Sequence, residues 1–101
     1  MSFSRFQLLR QSDGLVYTFD RRILKNGAPA YQRQDQDFWI KYHGPDLGWI
    51  AFDETGVYGI TGRPWNTLPK DQSPDHPPAG IWISRKSDRS YVYDLVYLDP
   101  S

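Results

Sequence analysis

Apolar and polar residues alternate with a period of two along most of this chain. In "FWIKYH", Phe38, Ile40 and Tyr42 point one way and Trp39, Lys41 and His43 the other, because strand side chains alternate sides. In "WIAFD", Ile50 and Phe52 oppose Trp49 and Ala51, and in "GIWIS", Ile81 and Ile83 oppose Trp82. "YVYDLVYL" sets Tyr91, Tyr93, Leu95 and Tyr97 against Val92, Asp94, Val96 and Leu98. Val, Ile, Tyr, Phe and Trp dominate these runs, as a pleated, half-buried surface favours.

Turn signals separate the runs. Asp13-Gly14 in "SDGL" and Asn26-Gly27 in "KNGA" suit two-residue hairpin turns, since Gly, Asn and Asp tolerate positive φ. "HGPDLG", "DETG" and "KSDRS" mark three further turns. The pattern predicts strands at 4–11, 15–24, 28–34, 37–43, 47–53, 57–61, 80–86 and 90–98. Such spacing predicts an all-β fold, a small antiparallel barrel or strongly curled sheet of about 7–8 strands. The alternative for the first segment is a short amphipathic helix capped by Ser2 or Ser4. Pro29 removes a backbone donor, so its strand is expected at a sheet edge or to begin later.

Residues 62–79 break the pattern. Pro64, Pro69, Pro74, Pro77 and Pro78 lie within them, and each lacks an amide hydrogen, so this segment neither continues a ladder nor forms a helix. "DHPP" favours extended backbone. Loops beyond about 12–15 residues are uncommon in compact domains. The segment is read as a functional loop, with a structural crossover and disorder as the alternatives.

Composition narrows the function. A chain of 101 residues is expected to form one domain over 1–101, its core largely aromatic, with 16% Phe, Trp and Tyr. There is no cysteine, hence neither a disulfide framework nor a thiolate metal site. Twelve cationic residues balance twelve acidic ones, which disfavours nucleic acid as a partner, since phosphate binding needs surplus cations. No secretory signal is visible in "MSFSRFQLLRQ", and no apolar run is long enough for a membrane helix. A soluble, cytoplasmic protein that does not associate with membranes is the expectation.

The candidate binding residues are mostly tryptophans. Trp39, Trp49 and Trp82 lie opposite the nearest aliphatic residues, so they form either a shared exposed stacking platform or part of the core. Trp65, behind the rigid Pro64, is either an anchor that plugs the loop onto the sheet or a binding tip. Arg63 beside it suits stacking on an aromatic face or a fork onto a carboxylate. His43 and His76 are the only histidines; acid–base hydrolysis would need both in one cleft, and nothing in their spacing provides that. Asp71, Asp75 and His76 lack a metal-ligand spacing, so no metal or cofactor is expected. The basic stretches "DRR" and "SRKSDRS" read as solvated strand ends.

The leading functional expectation is a non-catalytic domain that binds a protein partner through Trp65, Trp82, Arg63, Trp39, Trp49 and His76 around the proline-rich loop. The alternatives are a carbohydrate- or single-strand-binding module with stacked tryptophans, and a small hydrolase using His43 and His76. The sequence carries no indication of oligomeric state.

Overall fold

Eight of the alternating segments become strands, and each pairs with its neighbours in chain order. In the computed structural model, which describes residues 3–52, 60–86 and 88–98 (backbone only for Phe52, Ile60 and Lys86), these are β1 (Arg5–Arg10), β2 (Val16–Ile23), β3 (Pro29–Arg33), β4 (Trp39–Tyr42), β5 (Trp49–Phe52), β6 (Ile60–Pro64), β7 (Gly80–Lys86) and β8 (Arg89–Tyr97). Every pairing is antiparallel, and β8 returns to β1, so the sheet closes into an eight-stranded barrel. Apart from the strands, the described residues hold one 3-10 turn, Pro69–Asp71. No helix among them is long and apolar enough to cross a membrane.

The hairpins form where the turn chemistry points. At Asn26-Gly27, Gly27 adopts φ 86°, a conformation that a side chain would oppose, and its amide bonds to Leu24 O. The Asp13-Gly14 turn joins β1 to β2, with Gly14 N bonded to Arg10 O at 2.8 Å. "DETG" lies outside the described residues, as does most of the predicted strand 57–61.

The first segment is a strand, as the pattern predicts, and the helical alternative falls: Phe6 and Leu8 turn into the core while β1 is paired on both sides. Two other expectations are corrected. Of the two expectations for Pro29 the edge fails, because a closed barrel has none, and the later start holds: β3 begins at Pro29, opposite Ile23, where a strand tolerates a missing donor. The sixth strand extends three residues past its expected end, to Pro64, because Gly62, Arg63 and Pro64 pair with Ser84, Ile83 and Trp82.

The core lies inside the barrel and is built mainly of rings. Phe6, Phe19, Tyr31, Trp49, Trp82 and Tyr93 are buried there with Leu8, Ile40, Ala51 and Leu95. Phe6 stacks on Phe19 with centroids 5.0 Å apart, and Tyr31 meets Trp49 edge-on at 5.8 Å. On β7 and β8 the inward set is therefore Trp82, Tyr93 and Leu95, and the aliphatic Ile81, Ile83, Val92 and Val96 take the other face. Short strands give few inward positions, and bulky aromatic side chains fill the interior where aliphatic ones would leave voids.

Candidate functional site

The two ends of the barrel differ. One end is closed by the proline-rich segment, which crosses from the end of β6 to the start of β7. Trp49 Nε1 donates to Ser73 O at 2.6 Å, Trp82 Nε1 donates to Pro78 O at 3.0 Å, and the Tyr97 hydroxyl donates to Pro77 O. Gln72, itself buried, accepts from Trp49 N at 2.8 Å and donates to Thr67 O at 3.1 Å. Gly48 allows this approach: its φ is 70°, and a Cβ there would stand 2.4 Å from Gln72 Oε1. Arg21 forks onto Asp75 Oδ1 and Asp75 O, and Phe3 stacks on His76 with centroids 3.7 Å apart. Through these contacts the segment packs as a plug across this end of the barrel.

The other end, where the β1–β2, β3–β4 and β7–β8 turns lie, is hollow. A cavity of about 540 Å³ reaches from these turns down to Phe19, Ile40 and Trp82. Its aromatic lining is Tyr17, Phe38, Tyr91 and Tyr93 together with Trp82 and Phe19. Its opposite wall is flat. Ala51 pairs with Gly62, and Gly62 pairs with Ser84, so three adjacent strands present their smallest inward residues at one level. A Cβ added at Gly62 would lie 3.3 Å from Ala51 Cβ and 4.0 Å from Ser84 Cβ. The hollow exists because these positions carry almost no side-chain volume.

Arginines ring the hollow. Arg10, at the end of β1, is held by both oxygens of Asp13 at 2.9 and 2.6 Å and lies over the Tyr91 ring at 4.8 Å. Arg33, at the end of β3, is held by both oxygens of Asp35 and lies over the Tyr17 ring at 4.1 Å. The Arg10 fork holds the Asp13 carboxyl well below the usual carboxylate range, at about 2, and Arg33 lowers Asp35 in the same way. Burial raises the Tyr93 phenol, although Arg10 works against that shift. Arg85, exposed on β7, also borders the cavity.

The residues singled out in the sequence are dispersed. Trp49 and Trp82 are inside the barrel at 0% and 2% exposure, while Trp39 is half-buried on the outer face. The three-indole platform is thus not formed, because the inward side of β5 and β7 is the tryptophan side. Trp39 donates from Nε1 to Asp37 at 2.7 Å and carries Lys41 over its ring. Trp65 is 61% exposed, with Arg63 stacked above it at 5.9 Å, so it does not anchor the plug. Leu47 and Leu68 are exposed beside it, along an outer groove of about 170 Å³.

The histidines have separate surroundings. His76 belongs to the plug, against Phe3, Tyr97 and Asp75. His43 follows β4, its amide bonded to Gly48 O, with its pKa lowered by burial and by the Lys41 charge. Neither lines the hollow or the outer groove. Sequence reasoning did not single out Arg10, Arg33, Tyr17, Tyr91, Tyr93 or Gly62. The close spacing of Arg10 with Asp13 and of Arg33 with Asp35 across hairpin turns was the available signal.

No family model, no curated protein and no solved structure matches this chain.

Proposed function

We propose that this protein is a non-catalytic module that binds a small molecule in the hollow half of its barrel. The observation that carries this reading is the cavity of about 540 Å³ between the Ala51–Gly62–Ser84 wall and the Tyr17, Phe38, Tyr91 and Tyr93 rings. Ligand sites are concave, mostly apolar and provided with a few placed polar groups, at volumes of about 300–1,000 Å³. Eight strands enclose an interior that side chains fill or that holds one small ligand. Here the plugged half is filled and the other half is lined but not filled.

Ser84→Leu tests this. The side chain already points at the hollow, so a larger one fills it without disturbing the strand pairing. The neutral fluorophore N-phenyl-1-naphthylamine is expected to brighten on titration into the wild-type protein. In Ser84→Leu its affinity should fall about tenfold or more, with the melting temperature preserved, since steric exclusion removes apolar contact. An unchanged affinity in the variant refutes the site.

A second reading is favoured by one separate observation: Trp65, Leu68 and Leu47 are 61%, 58% and 47% exposed in one neighbourhood. A protein partner whose apolar side chain enters the groove beside Trp65 would cover them, and tryptophan and arginine are the residues that dominate such contacts. Trp65→Ala should then weaken a defined partner by about 2 kcal/mol or more in calorimetry. Equal affinity for wild type and variant excludes this surface.

A further inference from the structure

Resting on the reading of the hollow as a ligand site, we infer that its ligand is a flat aromatic molecule with one anionic group, held with that group at the barrel mouth beside Arg10 and Arg33. Both side chains are partly withdrawn from solvent, at 18% and 15% exposed, and both line the cavity. Each is fixed in place from two sides, by a carboxylate in its own hairpin and by a tyrosine ring beneath it. A guanidinium has five N–H donors, and the carboxylate fork engages Nε and Nη2, so donors remain for a second acceptor. Orientation is therefore set before any ligand arrives, which lowers the entropic cost of binding.

Arg10 and Arg33 are each paired with one carboxylate, so what they offer a ligand at the mouth is directed N–H donors, and an anionic group is the acceptor that such donors hold best. The shape points to a ring. The Ala51–Gly62–Ser84 wall is smooth, and the Phe38 and Trp82 side chains offer aromatic surface within the same cavity. Carboxylate, sulfonate and phosphate monoester share this chemistry, because a guanidinium donates paired N–H bonds to the oxygens of each. A ring seated against the wall leaves its anionic substituent at the level of the arginines, where the cavity opens.

Two fluorophores with the same ring system and different charge test the inference: the anionic 1-anilinonaphthalene-8-sulfonate and the neutral N-phenyl-1-naphthylamine. The sulfonate is expected to bind about tenfold more tightly to the wild-type protein, as a charge-assisted bond supplies. Arg33→Gln should remove that preference, read as the ratio of the two affinities within the variant. Asp35→Asn should tighten the sulfonate severalfold, because it takes away the competing carboxylate; local damage to the hairpin would weaken both probes instead. Equal binding of the two probes, or an unchanged preference in Arg33→Gln, overturns the anionic ligand while the hollow remains a binding site. If neither probe binds, the hollow itself is not a site and the inference falls with it.

Discussion

Gln72 shows how one side chain decides the course of a long loop. It is the one buried polar residue among those described, and its amide joins the β5 backbone at Trp49 to the loop backbone at Thr67. Gly48 makes room for it, so a glycine with positive φ and a glutamine 24 positions later form one structural unit. Removing the amide leaves a buried backbone donor and a carbonyl without partners. Gln72→Ala should therefore lower stability by about 1–3 kcal/mol in urea unfolding, and a loss within experimental error would contradict the bridge. The same scale explains what sequence reading missed. Trp49, Trp82 and Tyr97 each send their single polar hydrogen to a carbonyl of the plug, and no local pattern announces bonds that join positions 4 to 24 residues apart.

At the scale of elements, hairpins were readable and faces were not. Asn26-Gly27 and Asp13-Gly14 carry a local conformational demand, and the strands on either side follow from it. Which side of β7 turns inward has no such local cause, since Ile81 and Ile83 suit a strand on either face. Ion pairs in two hairpins and in the plug set the acid behaviour. Asp13 is lowered to about 2 by Arg10, and Asp35 and Asp75 are lowered by Arg33 and Arg21. A carboxylate lowered in the folded state contributes stability that is complete above its unfolded value and lost as pH falls through its folded one. Thermal stability should therefore decline on acidification from about pH 4 to about pH 2, and Asp13→Asn should flatten the decline. A melting temperature constant across that window would contradict these pairings.

The whole molecule depends on closure. β8 pairs along five positions with β1 and along seven with β7, so it supplies the contact between the two ends of the chain. It also contributes Tyr93 and Leu95 to the core and Tyr91 to the hollow. A chain lacking residues 89–98 should show no cooperative unfolding transition by circular dichroism and should associate through the exposed edges of β1 and β7. A cooperative, monomeric product would mean that the open sheet is stable without its last strand.

Local chemistry was sufficient for the order of strands and turns along this chain, because alternation and positive-φ residues act within a few bonds of themselves. It also marked out residues 62–79 as a segment apart, since proline acts on its own backbone. The inward face, the use of that segment as a plug and the hollow opposite it were decided only when the sheet closed. Closure is a condition on total interior volume, shared among eight strands, and the hollow arises where Ala51, Gly62 and Ser84 come level across three of them.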